Sequence, residues 1–253
     1  MENEKRIAVL IDSDNVSAKY IRNILDELSK YGSPTYKRIY GDWTKPQLSA
    51  WKNILLAHSI SPIQQYSYTV GKNATDSALI IDAMDILYSG NVDSFCIVSS
   101  DSDFTRIASR LREAGMYVIG MGEKKTPKPF ISACDLFKYL EVLADPSTEE
   151  DVPNSKNGEK TSDNSVPEKQ GMASKKDIEK VIRTIITATS DEDSWVHLGT
   201  VGNVLNKRYP DFDTRNYGYS KLSQFVASLS GVITEQRHMN NASGKQTFVK
   251  NKE

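Results

Sequence analysis

The sequence predicts an α/β fold: a doubly wound parallel-sheet domain, then a flexible linker, then a small winged-helix domain. Three observations predict it. Short, continuous apolar runs alternate with segments of helical period through the first 143 residues, the rhythm of βαβ units. From Asp145 to Gly171, Pro, Ser, Asn, Glu and Lys replace nearly all hydrophobic residues, the composition of a linker. Beyond it, three helical segments precede two strand-like runs, the element order of a winged helix.

The first strand is residues 6–12, where Ile7-Ala-Val-Leu-Ile11 is apolar on both faces, as a strand buried in a parallel sheet requires. Val16 to Lys30 carries Ile21, Ile24, Leu25 and Leu28 at helical spacing, and Gly32 stops it. Thr35 to Trp43 reads as the second strand. Pro46 at a first helical position opens a helix through Trp51, Ile54 and Leu55. A third strand spans Ser61 to Tyr66. Gly71 to Asp76 is a loop, with Thr75 as N-cap of a helix to Tyr88. Strand 94–100, helix 104–114 stopped by Gly115, and strand 116–121 follow. In the C-terminal region, Ile178, Val181, Ile182, Ile185 and Ile186 form one helical stripe. Leu198–Tyr209 and Ser220–Leu229 are the next two helices. The strand-like runs Val232–Thr234 and Gln246–Val249 flank a turn-rich Asn-Asn-Ala-Ser-Gly segment.

The 253 residues, 38% hydrophobic and 26% charged, suit a chain with a sizeable core. The net charge of −1 conceals a gradient: residues 1–144 balance 17 basic against 17 acidic side chains, 145–171 have 3 against 7, and 172–253 have 12 against 9. Cys96 and Cys134 are far apart, flanked by core-like residues and outside any zinc spacing, which points to a reducing compartment. Only five apolar residues follow Lys5-Arg6 before Asp12, too few for a signal-peptide core, and no stretch reaches membrane-spanning length. The expected location is cytoplasmic, with no membrane partner.

Function is concentrated where two strands end. Ile11 runs into Asp12-Ser-Asp14-Asn15, and Val98 into Ser99-Ser100-Asp101-Ser102-Asp103. Parallel strands bring both ends to the carboxyl edge, where open α/β sheets bind ligands. Asp76 joins them from the first turn of its helix, a position that favours a carboxylate. Asp82, six residues on, is rotated about 120° away, and Asp85 falls on the opposite face, so both are set aside as surface or capping groups. Any one aspartate after a strand can be a plain turn residue or cap. Carboxylates converging as a group repel one another unless a cation sits among them.

These stretches resemble the NYN domain of the PIN-like ribonucleases. The match rests on Asp12 with Asn15, Lys72 with Asp76, and Ser99-Ser100-Asp101-Ser102-Asp103-Phe104, and covers roughly residues 5–143. The resemblance implies a PIN-like fold and a divalent-metal-dependent nuclease acting on RNA. Carried over by position, Asp12, Asp76, Asp101 and Asp103 are the metal-binding, catalytic acids for Mg²⁺ or Mn²⁺, with Asn15 and Ser100 in support. Asp14 falls at a variable position of the motif. No histidine is placed for metal-free chemistry, since His58 lies in a predicted helix and His197 and His238 lie in the other domain. Candidate RNA contacts on the same edge are Lys72, Arg106, Arg110, Lys124 and Lys125, with Trp43, Tyr66 and Tyr68 as candidate stacking aromatics.

In the C-terminal region, Gly199-x-x-Gly-Asn-x-Leu, Tyr209-Pro-x-Phe212 and Tyr217-Gly-Tyr-Ser-Lys-Leu222 resemble the OST-HTH (LOTUS) domain. That resemblance implies an RNA-binding or protein-docking module, in which Lys221 is a candidate RNA contact among several cations at helix ends or on the wing. The favoured function is an endoribonuclease whose second domain holds single-stranded or structured RNA. Two alternatives stay open from the residues. Asp12-Ser-Asp14-Asn15-Val16 also resembles the nucleophile motif of the haloacid-dehalogenase phosphatases, and a catalytically silent RNA-binding or scaffold protein would need no site at all.

Overall fold

A computed structural model describes residues 4–66, 74–144, 172–190, 194–238 and 245–252. Lys72, Tyr68, the expected linker 145–171 and the Asn-Asn-Ala-Ser-Gly turn lie outside these residues. The chain divides into two compact units, built mainly on the residues up to Ala144 and on the C-terminal region respectively.

The first unit is a six-stranded sheet in which each neighbouring pair is parallel. Its strands are β1 (Arg6–Asp12), β2 (Ser33–Gly41), β3 (Ser61–Gln64), β4 (Ser94–Val98), β5 (Tyr117–Gly122) and β6 (Leu136–Tyr139). Their order across the sheet is β3-β2-β1-β4-β5-β6. The chain winds outward from β1 to β3, then returns to β4 on the other side of β1. The crevice at that reversal, above the carboxyl ends of β1 and β4, is where such sheets hold ligands. Helices α1 (Ile21–Leu28), α2 (Trp51–His58), α3 (Ala74–Ser89), α4 (Thr105–Glu113), α5 (Lys128–Ala133) and α6 (Leu140–Leu143) complete the unit.

The apolar runs behave as two-faced burial requires. Every residue of β1 after Arg6 and all five of β4 are buried. Ile7, Val9 and Ile11 face Ile21, Ile24 and Leu28 of α1 in the main core, each fully buried aliphatic side chain contributing about 1.5–3 kcal/mol. Gly32 ends the α1 region where the chain passes Lys5 so closely that a Cβ would meet the Lys5 carbonyl oxygen at 2.2 Å. Several boundaries differ from expectation; β2, for instance, runs two residues earlier than the expected Thr35–Trp43. Tight 3-10 turns, Ala18–Tyr20, Pro46–Ala50 and Ser102–Phe104, take up the starts expected of α1, α2 and α4. Thr75 is a buried residue inside α3 rather than its cap, because the helix begins at Ala74. Helices α5 and α6 and strand β6 were not anticipated; they are four to six residues long, too short for periodicity to show.

The second unit contains α7 (Lys175–Thr189), β7 (Val196–His197), α8 (Leu198–Arg208), α9 (Leu222–Ala227), β8 (Val232–His238) and β9 (Lys245–Asn251). Ser174 caps α7, its hydroxyl accepting from the Asp177 amide at 3.2 Å. The isoleucine stripe of α7 is buried at Ile178, Ile182, Ile185 and Ile186. The antiparallel pair β8–β9 is the expected wing, and the two-residue β7 adds a third strand in the order β7-β9-β8. Among the described residues, no helix is long and apolar enough to cross a membrane.

Candidate active site

The register of the central strands sets the site. Ile11 pairs with Val98 at the last rung of β1 and β4, so Asp12 and Ser99 face each other one step beyond. The Ser99 hydroxyl donates to Asp12 Oδ2 at 2.7 Å and accepts the Asp101 amide at 3.1 Å. Asp12, 1% exposed, also accepts from Asn15 Nδ2 on Oδ2 at 2.8 Å and from the Asp14 amide on Oδ1 at 3.0 Å. Burial pushes the Asp12 carboxyl above its ordinary range, against the pull of those three donors.

Asp101 begins the turn after β4, and its carboxylate accepts the Asp103 amide at 2.9 Å. Asp76 enters from the first turn of α3. Asp76, Asp101 and Asp103 each present a carboxylate oxygen, and these oxygens lie within 4.8 Å of one another. The Asp76 carboxyl is pushed up to about 6, first by burial, then by the charges of Asp12, Asp101, Asp103 and Asp14. A carboxylate in the first turn of a helix gains about 0.3–1 kcal/mol from the helix dipole. Burial and four like charges outweigh that gain here. An all-oxygen donor set of clustered carboxylates fits a hard divalent cation. Asp12 stands beside this trio rather than within it, both its oxygens occupied by protein donors.

The remaining expectations divide. Asn15 supports Asp12 directly. Ser100 does not touch the acids: its Oγ accepts the Glu123 amide at 2.8 Å, tying the loop after β4 to the end of β5. Asp14 faces Lys45, with 3.5 Å between Oδ1 and Nζ. Asp82 is neither a surface group nor a cap. It accepts from the Arg38 guanidinium and the Tyr40 hydroxyl on β2, fixing α3, and with it Asp76, against the sheet. Asp85 is exposed. Arg106 and Arg110 are exposed on α4. Lys124 and Lys125 are exposed after β5, and Lys125 pairs with Glu123 at 2.8 Å. In the second unit Lys221, exposed, precedes α9. Both cysteines are buried, and burial raises both thiols far above their ordinary value.

Sequence reasoning left Ser99 out of the candidate residues. It directly follows β4, opposite Asp12 at the end of β1, a placement that could have flagged it. Ser99→Ala leaves Asp12 with one donor fewer in a buried setting. We expect a loss of about 1–3 kcal/mol of stability and roughly tenfold slower turnover, measured by denaturant unfolding and by RNA cleavage.

The geometry bears on one alternative. A nucleophilic aspartate of the dehalogenase type must be open to the substrate phosphorus, and Asp12 is buried and held by three donors. An uncharacterized protein of Methanocaldococcus jannaschii is 26% identical over 125 residues, 48% of this chain and 49% of that protein. The chain thus spans about half the length of the curated relative it matches. Among solved structures, a protein of unknown function from Vibrio parahaemolyticus is 20% identical with a TM-score of 0.46, covering 54% of this chain and 93% of that one. An uncharacterized protein of Nitrosomonas europaea is 32% identical with a TM-score of 0.27, covering 40% of this chain and 92% of that one. Residues 173–242 match the family model of the OST-HTH/LOTUS domain, an RNA-binding module. Residues 6–141 match that of the NYN domain, of the PIN-like nuclease superfamily. With more than half its length in that match and the acidic crevice at the expected strand ends, the chain belongs to the NYN domain family.

Proposed function

We propose that this chain is a divalent-metal-dependent endoribonuclease, with residues 1–144 as the nuclease domain, 145–171 as linker and 172–253 as an RNA-binding or docking domain. The observation that carries the reading is the convergence of Asp76, Asp101 and Asp103 within 4.8 Å at the switch point of the sheet. Mg²⁺ or Mn²⁺ would be held by these three acids, with Asp12 adjacent. A bound ion of this kind neutralises the pocket for an anionic phosphodiester, lowers the pKa of water and stabilises a leaving oxygen.

The chain's own groups serve that chemistry in distinct ways. Asp12 keeps its orientation through Ser99, Asn15 and the Asp14 amide. Asp101 shapes the turn that presents Asp103. Asp82 holds α3 so that Asp76 reaches the crevice. Arg106, Arg110 and Lys124 supply positive charge for the RNA backbone, Lys221 does so on the second unit, and the sequence motif adds Lys72. Two buried, protonated cysteines fit a reducing, cytoplasmic setting.

The test is direct. Purified protein with labelled single-stranded RNA cleaves in Mn²⁺ and not in EDTA, leaving 5′-phosphate and 3′-hydroxyl ends. Equal RNA binding with no cleavage under any divalent ion would make the chain a silent RNA-binding protein instead.

A further inference from the structure

A groove of about 900 Å³ opens beside α2 and β3. Trp43, Leu48, Leu56 and Pro62 form apolar walls, and Lys45 and Lys52 also line it; among the described residues no acidic side chain does. This is unusual in a unit whose basic and acidic residues balance. The Trp43 indole donates from Nε1 to the Ile63 carbonyl at 3.0 Å, which presets one aromatic wall. Leu56 is 79% exposed, a large apolar surface left to water at the rim.

One end of the groove shares the carboxyl edge of the sheet with the acidic crevice. It begins at the residues that follow β2, and β2 runs parallel to and pairs with β1, so its Trp43 end opens on the same carboxyl edge. Lys45 Nζ lies 3.5 Å from Asp14 Oδ1, and the Asp14 amide donates to Asp12. A polymer whose phosphate sits at the acids has its neighbouring units directed toward apolar walls spaced by two cations.

We propose that this groove takes the nucleobases next to the scissile phosphate of a single-stranded RNA, with Lys45 and Lys52 on the backbone. The inference rests on the ribonuclease reading and adds a subsite to it. Charge selects the occupant: apolar walls suit the faces of bases, and Lys52, with Lys45 at the Asp14 end, suits phosphates rather than an acidic-and-basic peptide surface.

Binding measured in EDTA separates the groove from catalysis. The full chain is titrated with a fluorescent 15-nucleotide single-stranded RNA, and crosslinked to the same RNA carrying 5-iodouridine. The double variant Lys52→Glu/Leu56→Glu changes two exposed side chains and keeps the parent's thermal melt. It is expected to bind about tenfold more weakly and to lose a crosslink at Trp43. Lys52→Gln is expected to lower the slope of log affinity against log salt by about 0.7, the loss of one single-strand phosphate contact. Unchanged affinity, slope and crosslinks in both variants overturn the subsite and leave the nuclease reading intact. Unchanged RNA binding with altered self-association makes the groove a protein interface, and also overturns it. A parent chain that neither binds nor cleaves RNA removes the nuclease reading and the subsite together.

Discussion

Asp101→Asn is expected to reduce metal-dependent RNA cleavage by roughly a hundredfold or more, about 3 kcal/mol of transition-state stabilisation, with little change in folding stability. The local turn needs only an acceptor for the Asp103 amide, and an asparagine carbonyl supplies it. The charge that the crevice needs is lost while the shape is kept. Asp12→Asn should be equally inactive but not equally benign. Asp12 accepts from three donors, whereas asparagine turns one oxygen into an NH₂ group. At least one donor then faces another in a buried site, at a cost of about 1–3 kcal/mol. Cleavage assays paired with denaturant unfolding distinguish the two variants. Full activity in Asp101→Asn would refute the site.

Asp76→Asn is expected to raise the stability of the metal-free protein at pH 7 while abolishing cleavage. The folded state holds the Asp76 proton to about pH 6, against an ordinary value of 3.8. Its contribution is therefore fully present below about pH 4 and is lost as pH rises through 6, because the unfolded chain binds fewer protons across that window. The carboxyl is only half-buried, so solvent screening leaves about 1 kcal/mol of this effect, or about 2–4 °C in melting temperature. Asparagine removes the pH slope. A divalent ion should raise the melting temperature of the parent more at pH 7 than at pH 5, and raise that of Asp76→Asn less. Melting curves with EDTA and with Mn²⁺ at both pH values read all of this. A variant no more stable than the parent at pH 7 would mean that the crevice carries no net repulsion.

Much of this was visible in the residues because the strongest signals are the least ambiguous. A four-residue apolar run such as Phe95–Val98 has few destinations in a soluble chain, and the aspartates that follow inherit their place from the strand. Asp76 could be placed because helix period and dipole act locally. What stayed hidden depended on partners far away in sequence. Ser99 matters through a bond to a residue 87 positions earlier, and Asp82 through Arg38 and Tyr40 on another strand. The angular argument set Asp82 aside as a surface or capping group, and helix geometry alone contains nothing about what β2 would offer it. Strand β6 carries only four residues, so a single lysine within it is enough to blur an alternating pattern.

The pairing of β1 with β4 also has a consequence for biogenesis. Asp12 leaves the ribosome about ninety residues before its Ser99 partner and two of the clustered acids. A chain growing from its N-terminus can pair β1 with β2 but must leave the other edge of β1 open until β4 arrives. During that interval a fully apolar strand presents unpaired amides and carbonyls, the arrangement that recruits other chains. Slow closure of such long-range parallel contacts lengthens the exposure. The same delay means that no partial product carries an assembled crevice before the central strands have met.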